Sequence, residues 1–449
     1  MTIKPNKLFA KRVLDYKVNT RKLGVVSYVN LDNAATTPPF EVVEKVVTDY
    51  LESYGSVHRG AGTKSKISTD IYEASRETIK QFVNAPKDSY VIFTGNTTGG
   101  MNTLAYFFAF LEGKIAVSAI EHSSSWLPWV KEEGIKKLGS SQVDVSQLND
   151  VNQKVQKFGS SQVIRYDVNT DGEFDLVSIE KILKENKIKA FVLTASSNVT
   201  GYCPNIKAIG KLVHKYDAAY VIDGCQYIQH HKMDMKDCGA DFLVASGHKF
   251  YAPYGGGFVI GAKKFFDQFL PYQIGGGNLP YITSSGEFLR YDNQLAHDPG
   301  TPNALGAVSM AVAIKKLEEI GLTAVEGYER SLAREAFQYM KTNNKIELYV
   351  KENHLNTVVA FNIKGVAPGE LAERLNNDFG IGVRAGSFCA YNVLRNLLGI
   401  KDDTYITKSV RSGDTSMIPS IVRASFSLCN TKKDVERFIL ALKEITKDA

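Results

Sequence analysis

The chain has 449 residues, 44% of them hydrophobic and 23% charged, a balance that excludes disordered, collagen-like and coiled-coil proteins. Its 54 Lys and Arg against 48 Asp and Glu give a net charge of +6 with no block of like charges, so neither a nucleic-acid partner nor a membrane surface is expected. Five cysteines, without a C-x-x-C pair, exclude complete internal disulfide pairing and favour a reducing, cytoplasmic setting.

The opening residues lack the apolar core of a secretory signal, and no apolar run of about 18 residues predicts a membrane span. From about residue 30 to residue 260, short runs rich in Val, Ile, Phe and Leu alternate with helix-compatible stretches. Nearly continuous apolar runs are typical of strands buried on both faces. They predict a mainly parallel α/β sheet with strands at Tyr90–Thr94, Ile115–Ser118, Ala190–Thr194, Ala219–Ile222 and Asp241–Ala245.

The pattern changes at a glycine cluster, Gly275–Gly277, which predicts a loop. The later elements indicate a smaller α+β domain: a long helix Asn303–Met340, strand Thr357–Ile363, helix Gly369–Phe379, strand Ile381–Arg384, strand Val422–Ser427 and a last helix opened by the capping-box variant Thr431–Asp434. We predict a loop over Asn396–Pro419, acting as a lid or a docking surface. The predicted domains are 30–290, and 1–29 together with 291–449.

Chemistry-bearing residues stand where the strands of the large domain end. Gly95–Gly100 leads into a helix and offers amides and hydroxyls to an anion such as a phosphate, although many such turns bind nothing. Asp223 ends one strand, where it is either a helix N-cap or a paired buried carboxylate. Lys249 follows the next strand. A lysine, an aspartate and a phosphate turn are together the set that pyridoxal phosphate requires.

Several motifs spread over most of the chain carry a family resemblance. They are Leu31–Thr37, Val57–Gly60, Glu121-His122 with Pro128-Trp129, Ser197–Gly201, Asp223–Gln226, Ser246–Lys249 and Gly300–Asn303. The chain resembles the class V group of fold-type I pyridoxal-phosphate enzymes. Within that group the chain looks most like cysteine desulfurases and selenocysteine lyases, because of the segments Val383–Ala390 and Val422–Thr431. The resemblance implies a large, mainly parallel α/β domain and a smaller α+β C-terminal domain.

The resemblance also implies a role for each matching residue. Lys249 would form the Schiff base with the cofactor and move the Cα proton, Asp223 would hold the pyridinium nitrogen, and His122 would stack on the ring. The further cofactor contacts implied are Gln226 with the ring oxygen, Thr97, Thr98, Ser246 and His248 around the phosphate, Asn198, and Thr301 with the phosphate of a partner subunit's cofactor. Asn198, Arg423, Arg384 and His58 would bind the substrate; Arg423 suits a carboxylate because its planar fork donates two parallel hydrogen bonds.

Cys389 is the predicted nucleophile of a cysteine desulfurase. Its thiolate, favoured by Arg384, would attack the sulfur of L-cysteine and leave a Cys389 persulfide and alanine. If Cys389 is instead an inert core residue, the chain is a class V aminotransferase, epimerase or other lyase. The remaining cysteines are predicted spectators, and the adjacent His230 and His231 lack a matching cluster, so no metal site is expected. A homodimer and a sulfur-acceptor protein are the expected partners.

Overall fold

The main sheet has seven strands in a computed structural model of the protein, which describes residues 3–130, 163–169 and 172–448. Across the sheet the strands are Ser89–Thr94, Gly257–Ala262, Phe242–Ser246, Ala219–Asp223, Ile188–Thr194, Lys114–Ser118 and Val163–Tyr166. Only Gly257–Ala262 runs against the others in this sheet. The predicted mainly parallel sheet is confirmed.

Both faces of this sheet are buried, because neighbouring residues along a strand enter different cores. Phe191 and Leu193 pack into one hydrophobic cluster, whereas Ala190 and Val192 pack into another. The longer helices preceding, between or following these strands are Glu41–Ser53, Thr63–Phe82, Thr97–Ala109, Leu176–Glu185, Ile206–Lys215 and Ala304–Ile320. Two-sided burial explains why the strand sequences are continuous apolar runs rather than alternating ones.

A second, four-stranded antiparallel sheet stands in the order Ile346–Leu348, Val358–Ile363, Ile421–Ser425 and Arg384–Gly386. Its core also takes side chains from the helices Leu322–Thr342, Pro368–Phe379 and Lys432–Asp448. The Asp434 side chain accepts a hydrogen bond from the Thr431 amide at 2.8 Å, as the capping-box variant predicts.

Three predicted elements differ from the structure. The long helix is two helices, because Gly321 adopts φ +86° between Ile320 and Leu322, outside the helical region. The predicted strand Ile381–Arg384 is split: Ile381–Gly382 pairs with Val29–Asn30, while Arg384 begins a strand of the antiparallel sheet. The predicted loop Asn396–Pro419 contains a helix, Thr404–Arg411, whose residues are all at least partly exposed.

Short elements complete the described chain. They are the hairpins Lys17–Thr20 with Gly24–Ser27 and Tyr281–Ile282 with Phe288–Leu289, the helices Lys11–Leu14, Met235–Cys238, Lys263–Phe266 and Tyr391–Leu397, and the 3-10 turns Pro5–Lys7, Gly247–Lys249, Gln294–His297 and Glu352–His354. Within the described ranges, no helix combines the length and apolar character needed to cross a bilayer.

The domain limits stay a prediction, and packing favours moving one of them. Met310, Ile314 and Leu317 of the helix Ala304–Ile320 belong to the same core as the large sheet. Leu332 and Phe337 of the following helix pack in the core of the smaller sheet. We therefore propose the turn at Gly321 as the boundary in place of residue 290.

Candidate active site

A pocket of about 250 Å³ opens where the parallel strands end. Thr194, Asp223 and Ser246 are each the last residue of a strand, and all three line it. Residues of the smaller sheet and of the segment before Tyr391 form the opposite wall. The carboxyl ends of parallel strands are where open α/β sheets bind ligands.

Most of the predicted site residues line this pocket. They are Thr97, Thr98, His122, Asn198, Asp223, Gln226, Ser246, His248, Lys249, Arg384, Cys389 and Arg423. Thr301 and His58 are not among its lining residues within the described chain. Thr301 borders a separate cavity near Tyr72 and Asp298, and the His58 Nε2 lies 2.9 Å from Glu73 Oε1.

Asp223 is 3% exposed and is held by two donors. Its Oδ1 accepts from the Cys225 amide at 2.9 Å, and its Oδ2 accepts from the Ser125 hydroxyl. Burial raises the pKa of Asp223, whereas these hydrogen bonds and the positive charge of Lys249 lower it. The bond to Cys225 is a local turn contact and not a helix cap, because residues 225–230 form turns and the next helix, Met235–Cys238, is capped by Asp234; the helix-cap interpretation of Asp223 is therefore wrong. Ser125 was not predicted, because a lone serine carries no sequence signal.

Two groups in the pocket have no partner among the described residues. The Ser246 hydroxyl is buried without a hydrogen bond, and no side chain or carbonyl accepts from Lys249 Nζ. The helix Thr97–Ala109 begins at the same pocket, with the Asn96 side chain accepting from the Gly99 amide at 3.0 Å. The aldehyde of pyridoxal phosphate would react with the unpartnered Lys249 amine. Its phosphate would accept hydrogen bonds from the Ser246 hydroxyl and from the helix N-terminus, so these residues fit the cofactor.

His122 is neutral at physiological pH. Burial, with the nearby charges of Lys249 and Arg423, lowers its pKa to about 4. Its Nδ1 accepts a hydrogen bond from the Ser124 amide at 3.1 Å, so the ring also serves as a local cap. Burial and Lys249 likewise lower the pKa of His248 to about 4. A neutral imidazole with its acceptor atom occupied is suited to stacking on an aromatic ring.

Arg423 is 2% exposed and reaches the pocket from the smaller sheet. One guanidinium nitrogen donates to the Asn198 carbonyl at 3.0 Å, and another donates to Asp32 Oδ1 at 2.9 Å. Its Nε has no partner among the described residues. Burial lowers the pKa of Arg423 to about 10, which leaves it charged near neutral pH. A charged, partly unsatisfied guanidinium is a site for a carboxylate.

The segment that carries Cys389 is held in a constrained conformation. Phe388 and Cys389 have φ values of +53° and +54°, in the left-handed region that side chains other than glycine adopt at a cost. The Cys389 carbonyl accepts from the Ser123 amide at 2.7 Å and from the Ser123 hydroxyl at 2.8 Å. The Phe388 carbonyl accepts from the Asn198 side chain at 3.0 Å. These bonds stabilise a turn that directs the segment to the pocket.

The other four cysteines are also free thiols. Burial raises the pKa of each of them: to about 11 for Cys238, to about 12 for Cys429, and upward for Cys203 and Cys225. Cys225 lines the pocket and accepts a hydrogen bond from the Thr97 hydroxyl at 3.1 Å. Their burial disfavours the thiolate form that reactive cysteines need.

The class V aminotransferase family model matches residues 29–152 and 145–438. A probable cysteine desulfurase of Staphylococcus aureus is 30% identical over 96% of this chain and 94% of its own length. One of Halalkalibacterium halodurans is 32% identical, over 96% of this chain and 95% of its own. The chain belongs to the cysteine desulfurase group of the class V aminotransferases.

Solved structures agree with this assignment. The apo cysteine desulfurase of Thermococcus onnurineus covers 94% of this chain and 95% of its own, with a TM-score of 0.78 and 28% identity. The cysteine desulfurase CsdA of Escherichia coli, solved as an S-sulfonic acid, covers 94% and 95%, with a TM-score of 0.73 and 26% identity. Cysteine desulfurases and class V aminotransferases are families of pyridoxal-phosphate enzymes.

Proposed function

We propose that the chain is a pyridoxal-phosphate-dependent cysteine desulfurase that converts L-cysteine to L-alanine and keeps the sulfur as a persulfide on Cys389. The observation that carries the proposal is the single pocket lined by Lys249, Asp223, Arg423 and Cys389. An amine, a buried carboxylate, a carboxylate-binding guanidinium and a thiol are the four groups that this reaction needs.

The residues that would hold the cofactor come from the large sheet. Asp223, held by Ser125, would pair with the ring nitrogen, and Gln226 would bond the ring oxygen. Thr97, Thr98, Ser246 and His248 would bind the phosphate, and His122 would stack on the ring face. When bound, pyridoxal phosphate withdraws electrons from the substrate Cα and makes its proton acidic.

The chain's own residues bind the substrate and move its atoms. Arg423 and Asn198 hold the carboxylate of L-cysteine, and Arg384 adds positive charge beside them. Lys249 takes the Cα proton at Nζ. The Cys389 thiolate attacks the substrate sulfur; the new S–S bond forms as the substrate C–S bond breaks, and the carbon fragment gains protons to become alanine. The atoms balance, because L-cysteine plus one enzyme thiol gives L-alanine plus one enzyme persulfide.

The decisive experiment incubates the cofactor-loaded protein with L-cysteine and a thiol reductant and measures alanine and sulfide. Wild type should form both in equal amounts. Cys389→Ser should form almost none, whereas Cys238→Ser, which changes a buried thiol away from the pocket, should retain activity. Alanine formation by Cys389→Ser at the wild-type rate would contradict the role of Cys389 and favour an aminotransferase, epimerase or other lyase.

The cofactor assignment has its own readout. Lys249→Ala should lose the visible absorbance of the lysine-bound cofactor, while Lys263→Ala, an exchange at a surface lysine, should keep it. If the Lys249→Ala protein keeps that absorbance, the lysine assignment is wrong. Repeating the turnover assay with L-selenocysteine tests whether the chain also acts as a selenocysteine lyase.

We further propose that the protein works as a homodimer in a reducing, cytoplasmic setting and passes its sulfur to an acceptor protein. Thr301 and His58 lie outside the pocket of their own chain, as residues serving a partner subunit's site would. Sedimentation of the protein gives its oligomeric state. Mixing Thr301→Ala with Lys249→Ala subunits tests whether sites are shared. If each site takes Lys249 from one subunit and Thr301 from the other, a mixed dimer has one intact site and recovers activity. Without sharing, mixing restores no activity.

A further inference from the structure

A second cavity of about 460 Å³ lies outside the active-site pocket. The segment 196–203 contributes to both: Ser196 and Asn198 line the active-site pocket, while Gly201, Tyr202 and Cys203 line the second cavity. Its remaining walls come from residues 173–176, from His231, from the helices Ile206–Lys215 and Leu322–Thr342, and from the residues 353–356. A volume of this size is typical of ligand-binding pockets.

A buried polar network forms one wall of the cavity. Asn356, 6% exposed, donates from Nδ2 to His231 Nε2 at 2.7 Å and to Cys203 Sγ at 3.5 Å. His231 Nδ1 lies 3.2 Å from the Glu326 carboxylate. These contacts fix the Asn356 amide, because its NH₂ must face the acceptor atom of the imidazole. The Asn356 carbonyl oxygen then has no partner among the described residues.

A positive charge in the same cavity is also unmatched. Arg330 makes no hydrogen bond or ion pair with any described residue, and its Nε is buried without a partner. Glu326, one turn earlier on the helix, points to His231 instead, and Glu173 on the opposite wall pairs with His354 at 2.8 Å. The cavity thus holds an unpaired cation, an unpaired acceptor and two carboxylates already shared with imidazoles.

We propose that this cavity binds a zwitterion of about dipeptide size. Its carboxylate pairs with Arg330, and its ammonium donates to the Asn356 carbonyl in the field of Glu326 and Glu173. A bare anion would leave Asn356 unsatisfied, and an amine alone would leave Arg330 unsatisfied, whereas a zwitterion satisfies both. A volume of about 460 Å³ leaves room for a ligand of dipeptide size.

Binding at this cavity is non-covalent. Burial raises the pKa of the Cys203 thiol, which therefore stays protonated and is a poor nucleophile. The Cys203 sulfur instead accepts from Asn356 and lies 3.5 Å from the Gly201 carbonyl, so it is part of the wall. The proposal is independent of the desulfurase reaction and can hold whether or not that reaction does.

The test is calorimetric titration of the cofactor-loaded protein with L-alanyl-L-alanine, N-acetyl-alanyl-alanine and alanyl-alanine amide. Wild type should bind the free dipeptide most tightly, because each analogue lacks one charged end. Arg330→Met should weaken free-dipeptide binding by about ten- to a hundredfold, the range for one charged hydrogen-bonded pair. Binding of the amide, which has no carboxylate, should not change. Arg330→Lys, which keeps a cation, should lose less.

Arg334→Met is the matched control, an exposed arginine one turn further along the same helix. It should bind the dipeptide like wild type, and so should Arg423→Lys in the active-site pocket. The proposal is overturned if wild type does not bind the dipeptide in the millimolar range, or if Arg330→Met binds it normally. Loss of binding in Arg423→Lys with retention in Arg330→Met would place the ligand in the active site and equally overturn the proposal. Thermal melting of each variant checks that it is folded.

Discussion

Replacing Arg423 with lysine separates substrate binding from the chemistry at the cofactor. The guanidinium donates at 3.0 Å to Asn198 and at 2.9 Å to Asp32, and its Nε has no partner among the described residues. A lysine keeps one positive charge for Asp32 but has no second, planar donor for an incoming carboxylate. The variant therefore loses one charge-assisted hydrogen bond to the substrate while Asp32 stays paired.

One such bond contributes about 1.5–3 kcal/mol, which corresponds to an increase of about ten- to a hundredfold in KM for L-cysteine. Because the carboxylate is bound throughout the reaction, kcat should change much less than KM. Alanine formation over a range of L-cysteine concentrations measures both constants. Arg384→Lys, at an arginine whose side chain is 47% exposed and 4.0 Å from Asp32, should change KM by less than about threefold. An unchanged KM in a folded, cofactor-loaded Arg423→Lys protein would refute the assignment.

Three further predictions concern single side chains. Iodoacetamide should alkylate Cys389 first, because burial raises the pKa of the other four thiols. Peptide mass mapping gives the order of labelling, and faster labelling of Cys203 would contradict this prediction. Burial and the charge of Asp223 raise the pKa of Glu121 to about 8, so the stabilising protonated form is lost as pH rises through 8. Glu121→Gln should therefore have a higher melting temperature than wild type above about pH 8 but not near pH 5. Equal melting temperatures at both pH values would refute this. Ser123→Ala removes one of two bonds to the Cys389 carbonyl and should slow alanine formation by about two- to tenfold with unchanged cofactor absorbance; a wild-type rate would contradict this.

Local sequence patterns predicted the parts of the site that the sheet itself positions. The strands before Asp223 and Lys249 are continuous apolar runs, and parallel strands buried on both faces must end at one edge. Asp223 and Lys249 were therefore expected to lie near each other from the order of these strands alone. The turn Gly95–Gly100 at the same edge followed in the same way from glycines and threonines placed between a strand and a helix, and its binding of a phosphate stays a prediction.

Contacts between distant segments were not predictable in this way. Asp32 and Arg423 are 391 positions apart, and Ser125 and Asp223 are 98 apart, so no short pattern links them. The split of Ile381–Arg384 between two sheets depends on the pairing of Ile381 with Val29, which is again a long-range contact. The helix Thr404–Arg411 was not predicted for a local reason. It buries no residue, so its sequence lacks the apolar stripe of a packed helix and resembles a loop.

The proposed substrate-binding residues also support the segment that carries Cys389. Asn198 donates to the Phe388 carbonyl and accepts from Arg423, and the Arg423 guanidinium lies 4.8 Å from the centre of the Phe388 ring. A carboxylate bound by Arg423 would therefore lie beside the guanidinium that covers the Phe388 ring, next to Cys389. Because Phe388 and Cys389 are kept in an unfavourable conformation by these contacts and by Ser123, any shift of Arg423 or Asn198 changes how firmly the thiol is held. Binding of the substrate carboxylate and placement of the nucleophile are thus linked through Asn198, so a substitution that removes the Asn198 side-chain amide should slow sulfur transfer even where the cofactor is fully bound, whereas Arg423→Lys should act mainly on KM.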